Sequence, residues 1–235
     1  MFDIINKREL FEWWDKGYAD KAKWDLKAIQ DAWAWSILKD SKGLRIAEVG
    51  GGKPRVLAKL AEHNTCINID KLEGVGQGPK AETAIEAIST IKAYLGDFDP
   101  RLEDISFDVI FSLSVLEHVA DDDFNRCFAD MARILKPGGR MLHAIDVYLD
   151  LDKNDRERHR FELYLNAAKA ANTNLQWLEP PVVDANALFK TTYAHNSAQQ
   201  LANWNRLAPS IRDVRERTMN CSIKTIWVKP ERILT

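Results

Sequence analysis

Three carboxylates and a run of glycines are the residues of this chain whose types and spacing suggest chemistry. Glu48 ends a short apolar run, and Gly50, Gly51 and Gly52 follow it directly in IAEVGGGKPRVLAKLA, Ile46 to Ala61. Asp70 ends the next apolar run, 22 residues after Glu48, and Asp97 follows a third. Glycines between a strand and a helix let backbone N–H groups approach a ligand with no Cβ in the way. A magnesium-dependent phosphate loop would need Ser or Thr after Lys53, and Pro54 stands there instead. A dinucleotide fingerprint would place a third glycine where the chain has Arg55. A nicotinamide-dependent oxidoreductase is thereby weakened but stays open as an alternative. Glu48 argues the other way, because a carboxylate beside the turn repels a pyrophosphate and suits a cation.

A second group lies further on. Glu117 and His118 follow the apolar run FDVIFSLS, and His143 and Asp146 sit in HAID. Ligands of open α/β sheets bind outside the carboxyl ends of the strands, which makes these four the candidates for contact with a second substrate. His143 and Asp146 are three apart on a strand, so they face opposite sides of the sheet and do not act as a couple. Asp146, nearer the strand end, is the better placed, and His118 has an alternative reading as support for the cofactor pocket.

Alternating elements must hold these groups. LRIAEV, CINID, TIKAYLG, FDVIFSLS and RMLHAIDVYL read as strands, while Pro54–His63, PKAETAIEAI and DDDFNRCFADMARIL read as helices. Asp121, Asp122 and Asp123 suit a helix start, and Lys136-Pro137-Gly138-Gly139 should end it. Strands separated by helical crossovers imply an α/β fold with a mostly parallel sheet covered on both faces. SIKTIWVKP reads as a closing strand, with a possible hairpin to RDVRERT through Asn220.

The order of these motifs resembles the class I S-adenosylmethionine-dependent methyltransferases. Glu48, Gly50 and Gly52 resemble the ExGxG core of that family's first motif, with Gly51 between them. FDVIFSLSVLEHV and LKPGGRML are similar to its fourth- and fifth-strand segments, and the likeness spans about residues 48–142. The resemblance implies a Rossmann-like, doubly wound sheet of seven strands and S-adenosyl-L-methionine as cofactor. It implies that Glu48 and the glycines hold the methionine part, that Asp70 with Lys71 holds the ribose, and that Gly96, Asp97 and Phe98 hold the adenine. Ser112, Leu113 and Ser114 would complete the cofactor site, with Asp146, His143 and His118 toward the acceptor. The family usually has a third glycine where this chain has Pro54, which alters the turn around the methionine tail.

The remaining features bound the answer. A formal net charge of −2 over 235 residues gives no electrostatic case for a nucleic-acid partner. No apolar run reaches the roughly 20 residues of a membrane span, and the charged N-terminus does not read as a secretory signal. Three scattered cysteines suggest neither a metal site nor a disulfide framework, so the expectation is a cytoplasmic enzyme acting on a small molecule without a metal. Five of the eight tryptophans fall in residues 1–40, an expected helical extension. Its apolar face would pack on the main domain (41–235), cover the active site or meet a second copy in a homodimer. Residues 152–210 are expected to form an acceptor-side lid or insertion, with a charged helix over Asp152–Ala171 and another around His195–Leu207. Trp177, Phe189, Tyr193 and Trp204 are candidates for an acceptor wall. The leading acceptor is a hydroxyl, with a faint sugar-related likeness, and the rival from another class is a non-catalytic binding or assembly module.

Overall fold

The computed structural model describes residues 1–23, 25–74, 80–150, 155–182 and 218–231. In chain order the elements are β1 (Phe2–Ile4), α1 (Lys7–Asp15), α2 (Leu26–Leu38), β2 (Arg45–Val49), α3 (Arg55–Leu60), β3 (Thr65–Asp70), β4 (Ile88–Lys92) and β5 (Phe107–Leu113). A 3₁₀ turn at Leu116–His118 leads into α4 (Asp121–Ile134), β6 (Leu135–Asp150), α5 (Asp155–Leu165), α6 (Ala167–Ala170), β7 (Gln176–Trp177) and β8 (Thr218–Val228).

The strands form one sheet in the order β1-β8-β6-β5-β2-β3-β4. Strands β2 to β6 are parallel, and β8 runs antiparallel to β6. The two-residue β7 shares the outer edge of β8 with β1, so the sheet is seven strands wide. Winding goes from β2 outward through β3 to β4, then returns to β5 on the other side of β2. The carboxyl ends of β2 and β5 therefore flank the switch point where such sheets bind ligands.

Alternation along the strands feeds two cores, one on each face. Ala47 and Val49 join Phe124, Phe128 and Met131 of α4 on one face. Ile46 joins Trp13 of α1, Ile29 and Trp33 of α2 and Leu57 of α3 on the other. The apolar stripe of α2 thus packs on the sheet, and the N-terminal strand extends the sheet itself.

Three local expectations are corrected. PKAETAIEAI forms no helix over its described residues 80–88; Ile85 bridges to Ile88, which pairs with Cys66 at the start of β4. A helix of this length is marginal without packing, and the sheet register claims its last residue. The Lys136–Gly139 stretch ends α4 but lies inside β6 as an irregularity. There β5 advances from Phe107 to Val109 while β6 advances from Leu135 to Arg140. Asn220 lies within β8, paired with Tyr148, and makes no hairpin turn. Asp121–Asp123 do open α4, but no side chain caps it, and the Asp121 carboxyl binds Arg160 instead. The charged helix becomes α5 and α6. Its expected first residues, the helix around His195–Leu207 and the side chains of Phe189, Tyr193 and Trp204 lie outside the described residues.

Candidate active site

A cavity of about 390 Å³ opens at the switch point. Its floor is the β2–α3 corner, Glu48 to Lys53, and its sides come from Asp70, Lys71, Thr83, Ala93–Leu95, Leu113–Leu116 and His118.

The glycine corner has the shape that close approach requires. Gly50 has φ +64°, and a Cβ there would stand 2.7 Å from the Val115 side chain. A Cβ on Gly51 would meet Asn68 Oδ1 at 2.6 Å. That oxygen instead accepts a hydrogen bond from the Gly51 N–H at 3.2 Å. Asp70 orders the rest of the turn, accepting from the Gly52 N–H at 3.0 Å and the Leu72 N–H at 2.8 Å. A carboxylate has about four acceptor sites, so both Asp70 oxygens keep capacity for hydroxyls. Pro54 caps α3 without a side-chain bond, and the helix starts at Arg55.

Glu48 is 4 % exposed and lines the cavity, and its Oε2 has no hydrogen-bond partner. Burial, with the nearby charge of Asp31, pushes its carboxyl up to about 8. Arg55, the nearest balancing cation, is held by Asp31 through bonds of 2.5 and 2.9 Å. An orphaned acceptor in a cavity is an arrangement that an ammonium group completes. The amino-acid tail of S-adenosylmethionine carries such a group, and the two oxygens of Asp70 suit its ribose. Lys71 lines the cavity with its Nζ 5.4 Å above the Tyr94 ring.

The Gly96–Phe98 turn follows the cavity wall Ala93–Leu95 but contributes no lining. Asp130, fully buried, holds it by accepting from the Gly96 and Phe98 N–H groups at 2.8 and 3.1 Å. Asp97 is exposed, and Phe98 is 44 % exposed. Ser112 is also off the cavity, buried in β5 and bonded through Oγ to His143 Nδ1 at 2.8 Å.

On the acceptor side the structure separates the two histidines. His143 is fully buried beside Trp227, with burial pulling its imidazole down to about 3, and it does not reach the cavity. This corrects its placement near the acceptor; a strand residue facing away from Asp146 meets the core. His118 lines the cavity with a 63 % exposed side chain, its Nε2 3.8 Å from Glu117 Oε1. Asp146 sits one side chain behind the wall, where Ser114 Oγ reaches its Oδ1 at 3.0 Å. Glu117 is buried beside it, neither carboxyl oxygen has a hydrogen-bond partner, and burial with the Asp146 charge holds its acid far above the carboxylate range. Burial likewise raises Asp146, against the bonds from Gln30 and Ser114.

Three contributors were not among the site residues named from the sequence. Lys27 lines the cavity from α2. Gln30, one turn on, is fully buried and binds Asp146. Arg160 of α5, 5 % exposed, donates to the carbonyls of Leu116 at 2.7 Å and Val119 at 3.0 Å, and to Asp121 and Tyr164. It thereby pins the 3₁₀ turn that carries Glu117 and His118. His159 of α5 pairs with Asp121 at 3.2 Å, and Trp177 stacks on Trp227 in the core. Among the described residues no cluster of metal-ligating side chains occurs, and no helix is long and apolar enough to cross a membrane.

Comparison with known proteins agrees with this geometry. Residues 47–143 match the family described as "Methyltransferase domain". A candidate sarcosine dimethylglycine methyltransferase from Galdieria sulphuraria is similar at 15 % identity and a TM-score of 0.54, covering 95 % of this chain and 98 % of its own. The YcgJ protein of Bacillus subtilis is similar at 14 % identity and a TM-score of 0.51, covering 85 % and 97 %. The [4+2]-cyclase SpnF, at 13 % identity and a TM-score of 0.53, covers 95 % and 93 %. At these identities the structures establish the fold, and the domain match supports S-adenosylmethionine as the cofactor. Residues 47–143 thus carry a methyltransferase domain, with S-adenosylmethionine as its cofactor.

Proposed function

We propose that this enzyme methylates a hydroxyl group of a small, sugar-like or phenolic molecule, with His118 as the base. The observation that carries the reading is His118 on the cavity wall, with Glu117 3.8 Å behind its Nε2 and Asp146 next in line. S-adenosylmethionine supplies an electrophilic methyl group when bound. An alcohol is a poor nucleophile, so the protein must take its proton as the oxygen–carbon bond forms. The His118 imidazole is accessible for that transfer, and the carboxyl pair behind it stabilises the resulting imidazolium. Glu48, Asp70 and the glycine corner hold the cofactor, and Arg160 keeps the 3₁₀ turn in place. Asp97, exposed next to the wall, contacts the adenine edge only weakly in this reading. Cys66 and Cys127, buried as free thiols, are in keeping with a cytoplasmic setting.

The test is a screen of sugars, phenols, amines and thiols with methyl-labelled cofactor, repeated with His118→Gln. The expected result is turnover of a hydroxyl compound that falls about 10²-fold or more in the variant, the range for a lost acid–base group. Binding of S-adenosylhomocysteine should stay within about threefold, since removing the base leaves the cofactor's own contacts in place. Turnover of amines or thiols alone, indifferent to His118, would refute the assignment.

A further inference from the structure

Charge around the cavity is unevenly matched. Lys27, Lys53, Arg55 and Lys71 line it, against two acids, Glu48 and Asp70. Arg55 is answered by Asp31 at 2.5 Å and Lys71 by Glu73 at 3.5 Å. Among the described residues, the ammonium groups of Lys27 and Lys53 have no ion-pair or hydrogen-bond partner. Asp146 feels the Lys27 charge, but it lies behind the wall and accepts the Gln30 amide instead.

The bound cofactor sharpens the imbalance. S-adenosylmethionine carries a sulfonium, an ammonium and a single carboxylate, so it adds net positive charge. Glu48 answers the ammonium. The carboxylate belongs to the same methionine part, and Lys53 directly follows the glycines of the corner that holds it. Lys27 comes from another element, α2, and is left over beside a site that also holds the sulfonium. A field of this sign repels a cationic acceptor and draws in an anionic one.

The root of Lys27 is firmly placed. Asp25 caps α2 by accepting from the Ala28 N–H at 2.8 Å. Gln30, three residues on and therefore on the same helix face, is fully buried. It donates to Asp146 Oδ1 of β6 at 2.6 Å and to Ser222 Oγ of β8 at 2.8 Å. These bonds tie α2 to the sheet and keep the exposed Lys27 side chain at the cavity wall.

We infer that Lys27 is a specificity-determining residue that pairs with a carboxylate or phosphate group on the acceptor, so that the substrate is a hydroxyl compound carrying negative charge. The inference rests on the hydroxyl-acceptor reading for its place in the reaction, but its test needs no turnover. An anion at Lys27 has two possible sources, the acceptor and the cofactor's own carboxylate, and the test separates them.

That test is NMR of the full chain with lysine labelled at ¹³Cε, the Lys27 signal being the one lost in Lys27→Met. The protein is first saturated with S-adenosylhomocysteine, then titrated with benzoate and with inorganic phosphate, benzamide serving as the neutral control. At least one anion should shift the Lys27 signal saturably, with a Kd on the order of 1 mM, and benzamide should leave it in place. Lys27→Met should weaken binding of that anion about tenfold or more, as expected for a lost charged contact, and keep S-adenosylhomocysteine affinity within about twofold of wild type. Absence of a saturable shift with either anion overturns the inference. So does a Lys27 signal that moves with S-adenosylhomocysteine but not with 5′-methylthioadenosine, which lacks the carboxylate, if Lys27→Met also weakens S-adenosylhomocysteine about tenfold. Acceptor turnover that ignores His118 would remove the base reading and leave the anion contact standing.

Discussion

Replacing Glu48 by glutamine should make this enzyme more stable and a poorer binder of its cofactor, with the first effect depending on pH. Burial raises the Glu48 carboxyl from 4.5 to about 8. Between those values the native chain holds a proton that the unfolded chain has released. Unfolding therefore releases a proton, and stability falls as pH rises through this window, by about 1.4 kcal/mol per pH unit. The loss is small at pH 5 and complete above pH 8. At pH 7 it is on the order of 3 kcal/mol, an upper figure because water entering the cavity relaxes part of it. Glutamine fills the same space and cannot ionise. A kcal/mol moves the midpoint of a chain this size by about 2–4 °C, so Glu48→Gln should melt roughly 5–10 °C above wild type at pH 7 and about level with it at pH 5. Thermal melts across pH 5 to 8.5 would measure this. In the same variant the cofactor's ammonium loses a charged partner, worth about 1.5–3 kcal/mol or roughly 10- to 150-fold in Kd. An advantage constant with pH, or a wild type that is the more stable at pH 8, would refute the reasoning.

Other perturbations separate the parts of the site. Asp70→Ala removes the acceptor of the Gly52 and Leu72 N–H groups, and should weaken S-adenosylhomocysteine binding by roughly 10-fold or more in calorimetry. Asp97→Ala, at an exposed position off the cavity wall, should cost less than about 1 kcal/mol in the same titration. Gly50→Ala forces a side chain into φ +64° and against Val115, and should cost at least about 1–2 kcal/mol of stability in denaturant unfolding while blocking the cofactor. Arg160→Met takes the guanidinium donor from the Val119 carbonyl and one of two donors from the Leu116 carbonyl, which keeps the Val119 N–H. It should lower the midpoint of unfolding and raise the acceptor KM more than the cofactor Kd, about 1–3 kcal/mol being typical of an unmet buried acceptor.

The sequence made the cofactor half of the site readable and the acceptor half much less so. Glu48, Gly50–Gly52 and Asp70 follow one another along a strand–turn–helix–strand path, so their spacing alone specifies their meeting at the switch point. Gly96–Phe98 has the right order too, but whether its side chains reach the cavity depends on the Asp130 clamp, which order does not reveal. His143 and Asp146 were separable by strand alternation, and they do face apart. What alternation could not show was that His143 is enclosed by Ser112 and Trp227. Gln30, Lys27 and Arg160 were not among the site residues named from the sequence, because each owes its role to packing of an element 40 or more residues away from Glu117 in sequence. PKAETAIEAI misled for the converse reason: its composition favours a helix, and pairing with β3 overrides it.

The central claim is that the Glu48–glycine–Asp70 corner is an S-adenosylmethionine site. Calorimetric titration of the full chain with S-adenosylhomocysteine, with reduced nicotinamide dinucleotide as control, tests it most directly. The account predicts binding of the first alone, with a Kd in the micromolar range, about −8 kcal/mol, and an affinity that Asp70→Ala lowers at least about tenfold. Binding of the dinucleotide alone, or of S-adenosylhomocysteine with no response to Asp70→Ala, would contradict it.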